Sequence, residues 1–184
     1  MRKAFVLLMV VGLLAPLAHA GSLADVTMDD EVMVSGKTIQ LNGMGLRKKL
    51  WVKVYVGGLY LENPTTDAET AAASKQVKKM VMHFLTNKAK KKKMDSAWDE
   101  GFEANAANFA SIKDRVETFK GYFGDMEVGD VVEMVLVPGE GTTVSLNGQT
   151  KGTIQGDDFA EALVQVWVGS TPPSEDFKAG VLGG

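Results

Sequence analysis

Histidine, cysteine and paired carboxylates are the side chains that most often hold metals or move protons, and this chain uses them sparingly. It has no cysteine, which removes disulfides, thiolate metal sites and cysteine nucleophiles together. Its two histidines are His19 and His83; only His83 would be left after removal of an N-terminal leader, so no histidine cluster is expected to hold a metal. His83 lies on an apolar run and reads either as a core or edge residue or as an isolated general base. Asp29-Asp30-Glu31 and the acidic stretch 125–130 lack the alternating ligand order of a calcium loop and read as solvated turns. Gly43-x-Gly45 lacks the third glycine of a dinucleotide fingerprint, and neither G-x-S-x-G nor G-x-x-x-x-G-K occurs. No metal and no cofactor is expected.

The densest charge feature is basic. Lys88, Lys90, Lys91, Lys92 and Lys93 precede a helical pattern that starts near Met94. Cations at a helix N-terminus oppose its dipole by about 0.3–1 kcal/mol each when exposed. Two readings stand: a site for anionic lipid headgroups, or a solvated connection that shields an apolar strand.

The elements around these residues follow from periodicity. The stretch 26–36 reads as a strand running into a Ser35-Gly36 turn, with 37–41 as its hairpin partner. Asn42-Gly43-Met44-Gly45 is a second cluster of turn residues. The run 50–61 alternates Val52, Val54 and Val56 against Trp51, Lys53 and Tyr55, too apolar overall for a sheet with one wet side. Gly57-Gly58 inside it marks a bulge or a close backbone approach. A short helix is expected over 68–74 and a strand over 77–86, with Met80, Met82 and Phe84 on one face. Met94, Trp98, Phe102, Ala106 and Phe109 then form one helical stripe, with Asn105 beside it. A second helical stretch covers about 112–119.

Strands at 131–137, 142–146 and 150–154 form a meander with turns at Pro138-Gly139 and Asn147-Gly148. Asp157 is placed to cap a helix carrying Phe159, Ala162, Leu163, Val166 and Trp167, which Gly169 stops. Ser174 starts a short terminal helix. Strands, helices, strands, helix is the order of an α+β domain: an antiparallel sheet with helices on one side.

The first twenty residues read as a signal peptide. Arg2 and Lys3 form a positive start, 5–14 is apolar, and Ala18-His19-Ala20 is a small-x-small cleavage pattern. The apolar run is shorter than the roughly 20 residues of a spanning helix. Cleavage near Ala20 is expected to release a periplasmic or secreted domain of residues 21–184. Taking Arg2 and Lys3 from the 20 basic residues leaves 18 against 23 acidic side chains, a net of −5. That balance argues against a general nucleic-acid binder, which would carry a basic excess.

Two segments carry a family resemblance. Leu41-Asn42-Gly43-Met44-Gly45-Leu46-Arg47-Lys48-Lys49, followed by Val52 to Glu62 (VKVYVGGLYLE), resembles the entry segment of chalcone isomerase-like proteins. Phe159 to Gly169, then Asp176-Phe177-Lys178 and Leu182-Gly183, resembles their closing helices. The resemblance implies an open-faced sandwich with a cleft for an apolar ligand between sheet and helices. It also implies that Arg47, in a G-x-G-x-R segment, takes the place of the arginine that steadies phenolate and enolate in plant isomerases. Asn105 matches a retained asparagine. Tyr55, Trp98 and Val166 fall where the enzymes carry a threonine, a tyrosine, and a threonine or serine.

The function this implies is non-catalytic binding of a small, apolar, anionic, fatty-acid-like ligand, with Arg47 as anion anchor. Trp51, Tyr55, Trp98, Phe102, Asn105, Val166 and Trp167 complete the expected ligand contacts, although the aromatics equally suit a helix–sheet core. The alternatives are a cofactor-independent intramolecular lyase acting on an enone through Arg47, Tyr55 and Asn105, and an envelope protein-interaction module with the aromatics as anchors.

Overall fold

The computed structural model describes residues 20–184. The signal-peptide reading therefore lies outside the described residues, apart from Ala20. A hairpin of β1 (Ala20–Leu23) and β2 (Val26–Asp29) stands apart from the main sheet. Seven antiparallel strands follow in strictly sequential order: β3 (Glu31–Val34), β4 (Lys37–Lys49), β5 (Val52–Leu61), β6 (Lys78–Phe84), β7 (Val131–Val137), β8 (Gly141–Leu146) and β9 (Gln149–Ile154). Helix α1 (Ala68–Ala73) connects β5 to β6. Helices α2 (Lys91–Asn105) and α3 (Phe109–Lys120) lie between β6 and β7, and α4 (Asp157–Val168) and α5 (Glu175–Val181) close the chain. The α+β architecture expected from the sequence is the one observed.

Alternation along the strands builds two cores. Tyr55, Leu59, Met80, Met82, Phe84 and Met134 face the helices, where they meet Phe102, Phe119, Phe159 and Trp167. Ile39, Val56, Tyr60 and Val81 face the other way, and Val26 and Met28 of the hairpin cover them. The Tyr60 hydroxyl donates to the Asp29 carbonyl at 2.8 Å and ties the hairpin down. This second cover is why β5 is apolar on both faces. His83 follows Val81 on that far side of β6, away from the helices.

Three local expectations change. The stretch 26–36 is broken at Asp30 into β2 and β3, which belong to different sheets. Asn42-Gly43-Met44-Gly45 makes no turn: β4 runs through it, with a register shift between Leu41 and Gly43. The glycines are there because α5 lies directly on the strand. A Cβ on Gly45 would stand 2.6 Å from the Phe177 carbonyl oxygen, and one on Gly43 would strike the Gly180 carbonyl. Asn42 supports the same seat, donating to the Val181 carbonyl at 2.8 Å and accepting from the Thr65 N–H at 2.7 Å. Gly156, not Asp157, occupies the N-cap of α4; Asp157 instead accepts the Gly139 N–H at 2.9 Å.

A distant carboxylate meets the middle of the basic run. Asp125 accepts the Lys91 N–H at 2.8 Å and faces Lys90 Nζ at 3.3 Å. These contacts, the backbone bond first, hold its carboxyl below the usual range. The loop after α3 thus supplies the anion that the first turn of α2 lacks.

Lys78 is a buried cation, 4 % exposed. Its ammonium donates to the Ala72 carbonyl in the last turn of α1, a helix end with no basic residue of its own. Burial pushes its pKa down from 10.5 to about 8, against the opposing pull of Glu161 and Asp157. The native state therefore binds this proton more weakly than the unfolded chain. Below about pH 8 the cost of burying the charge is fully present, and it is relieved as pH rises from about 8 to 10.5. Urea midpoints of the native protein, referred to those of Lys78→Met, are expected to climb across that window. A flat difference would show that Lys78 is solvated.

Candidate functional site

The functional geometry begins with the alternation of β4. Gly43, Gly45 and Arg47 pair with Leu59, Gly57 and Tyr55 on the helix-facing side. The first two positions admit α5; at the third, beyond the helix, a long side chain has room. Just past Arg47 the register shifts again, between Arg47 and Lys48. The shift leaves Val54 without a partner on β4, so the adjacent Val54 and Tyr55 both reach the same space. That alters the face pattern read from alternation, which had set Val54 opposite Tyr55.

The space is a cavity of about 410 Å³, within the range of roughly 300–1,000 Å³ usual for small-molecule sites. The ends of β4, β5 and β6 supply its sheet wall, with Val52, Val54, Met82 and Phe84. Met94, Ala97 and Trp98 of α2, Val166 and Trp167 of α4, and Pro173 face it from the helix layer. Trp98 and Trp167 meet edge to face, with centroids 5.5 Å apart at 89°. Behind them Phe119 and Phe123 close the aromatic packing, at 4.9 and 6.2 Å from Trp98.

Among the polar side chains on this apolar space, the cations only donate, whereas the hydroxyls of Tyr55 and Thr86 can donate or accept. The Trp167 Nε1–H donates to the Tyr55 hydroxyl at 3.0 Å, which leaves the Tyr55 O–H free to point elsewhere. Burial pushes the Tyr55 pKa up to about 12, with the Trp167 bond and the Arg47 charge pulling the other way. Tyr55 therefore keeps its proton at neutral pH. Trp98 Nε1–H is buried with no partner, a group that costs about 1–3 kcal/mol if left unsatisfied. Arg47 spends one donor on the Lys48 carbonyl and retains the rest of its fork. Every charged residue of the lining, Arg47, Lys49, Lys88 and Lys93, is a cation. Such a set favours a ligand group that only accepts, such as a carboxylate.

The expected contacts divide clearly. Arg47, Tyr55, Trp98, Val166 and Trp167 come together on the cavity. Trp51 stands off it, 85 % exposed in the turn between β4 and β5. Phe102, one helical turn beyond Trp98, is fully buried against Phe119 and Phe159. Asn105 also stands off the lining. Its Nδ2 donates to the Gly101 and Thr171 carbonyls, each at 2.9 Å, and its Oδ1 accepts the Thr171 N–H at 2.8 Å. The asparagine thus fastens the end of α2 to the loop before α5. The sequence reading missed Thr86, Met82, Phe84, Met94 and the lysines of the mouth. The shared face of Met82 and Phe84 and the four-residue step from Met94 to Trp98 were the available signals.

Residues 20–183 match the family model described as chalcone isomerase-like. Among solved structures, the fold is similar to that of a fatty-acid binding protein of Arabidopsis thaliana. The TM-score is 0.74 at 13 % identity, over 90 % of this chain and 96 % of that one. No curated protein sequence matches the chain.

Proposed function

The chain belongs to the chalcone isomerase-like family, and from that premise we propose that it is an exported, non-catalytic binder of a fatty-acid-like anion, with Arg47 on the carboxylate. The observation that carries this reading is an apolar cavity whose charged lining residues, Arg47, Lys49, Lys88 and Lys93, are all cations, with the Tyr55 O–H beside Arg47. A carboxylate can satisfy several of these donors at once, with a planar match to the guanidinium. The hydrocarbon tail would lie against Val54, Met82, Phe84 and Met94. The Arabidopsis structural neighbour, named a fatty-acid binding protein, agrees with that ligand class. Against isomerase chemistry stand two positions, Trp98 and Val166, that bring no hydroxyl.

The test is to purify the protein from an exporting host, identify extracted lipid by mass spectrometry, and titrate the stripped protein with a fatty acid and its methyl ester. The acid is expected to bind and the ester to bind much more weakly. Failure to bind the acid would sink the reading. Chalcone turnover abolished by Arg47→Ala would replace it with the lyase. The same spectrometer tests export: the mature chain is expected to begin at Gly21.

A further inference from the structure

The mouth of the cavity carries features that ligand binding alone does not use. The turn between β4 and β5 lifts Leu50 and Trp51 into solvent, 80 % and 85 % exposed. Leu50 holds a φ of 57°, a left-handed conformation uncommon for a bulky side chain. Leu50 also borders the cavity, so an apolar path runs from the tip to Val52 and Val54. Around this tip the charge is all of one sign. Lys49, Lys88 and Lys93 line the mouth, and Lys48 and Lys92 adjoin them in sequence. None of the ion pairs among the described residues takes these five lysines, whereas Lys90 and Lys91 are paired with Asp125, Glu127 and Asp95. The chain as a whole is acidic, at −3, so the basic mouth is a local polarisation.

We propose that this mouth docks on an anionic phospholipid surface, with Trp51 and Leu50 entering the headgroup boundary and the free lysines meeting lipid phosphates. Tryptophan seats at that boundary because its ring is apolar and its N–H is not. Lysines near an anionic leaflet each strengthen binding about fivefold. Two exposed apolar side chains and unpaired cations beside one apolar cavity complement a bilayer together. The purpose, exchange of ligand with the bilayer without passage through water, rests on the fatty-acid reading; the docking itself does not.

The experiment sediments lipid-stripped protein with vesicles of phosphatidylcholine alone and of phosphatidylcholine mixed with phosphatidylglycerol. The mixed vesicles are expected to bind at least about tenfold more tightly, with an advantage that shrinks as salt is raised. Trp98 and Trp167 are already buried, so a blue shift on binding reports Trp51. Trp51→Ser is expected to bind the mixed vesicles about tenfold more weakly, and Lys92→Glu with Lys93→Glu at least about 25-fold more weakly. Equal binding to both vesicles, or Trp51→Ser binding as well as the native protein, overturns the proposal. So does a protein that ignores vesicles but captures an acidic polypeptide through Trp51. Fatty-acid affinity is read separately, in solution without vesicles, so the two proposals can fail independently.

Discussion

Arg47→Met is expected to bind a long-chain carboxylate roughly 10- to 150-fold more weakly, the 1.5–3 kcal/mol of a hydrogen bond to a charged group. Methionine keeps an unbranched apolar stem on the cavity wall and removes only the charged fork. Affinity for the matching methyl ester is therefore expected to stay where it is. Lysine at the same position restores part of the loss, since a point charge attracts the carboxylate but cannot grip both oxygens in one plane. Titration calorimetry of acid and ester against the three proteins separates these terms. If acid and ester weaken equally in Arg47→Met, the arginine only packs, and the anion lies elsewhere.

Phe177→Ala is expected to cost about 3–5 kcal/mol of stability, the range for truncating a fully buried phenylalanine. The side chain is completely inaccessible. Its ring occupies the space that a side chain on Gly57 would need and meets the Tyr55 ring edge-on, with centroids 5.6 Å apart. Removing it leaves a void between α5 and β5, directly behind a cavity-lining tyrosine. Urea unfolding reads the change as a lower midpoint with an unchanged slope. A loss under about 1 kcal/mol would mean that the site collapses around the void.

The two variants probe parts of the molecule that were unequally legible. Strands β5 to β9 follow from alternation and from turn dipeptides, both local signals, and the Met94–Trp98 stripe follows from helical spacing. The glycines of β4 could not be read that way. A glycine cluster signals a turn when only its neighbours are considered; here it signals a helix more than a hundred residues away. The same limit divides the aromatics. Trp98 and Phe102 share one stripe, yet Trp98 borders the cavity while Phe102, one turn on, packs against Phe119 and Phe159. Trp51 and Tyr55 share a face in an ideal strand, but β5 begins after Trp51, and the shift beside Arg47 breaks the pattern. Arg47 was legible through the resemblance of its surroundings, because the residues themselves do not distinguish it from a surface arginine.

The seat of α5 has a kinetic meaning. The seven strands pair in chain order, so the sheet can grow by adding neighbours without threading a strand between two already paired. The bond from Asn42 to Val181 spans 139 residues, and closing so long a loop before the sheet exists carries an entropy cost that each neighbouring-strand closure avoids. The sheet can therefore assemble first and α5 attach to it afterwards, as the last clasp. Although it has only seven residues, α5 buries Phe177 and Val181 completely, so its detachment is costly. Its release would bare the Gly43–Gly45 strip, loosen Phe177 from Tyr55 and carry Pro173 away from the cavity wall. The same short helix thus joins the far end of the chain to the strand that carries Arg47.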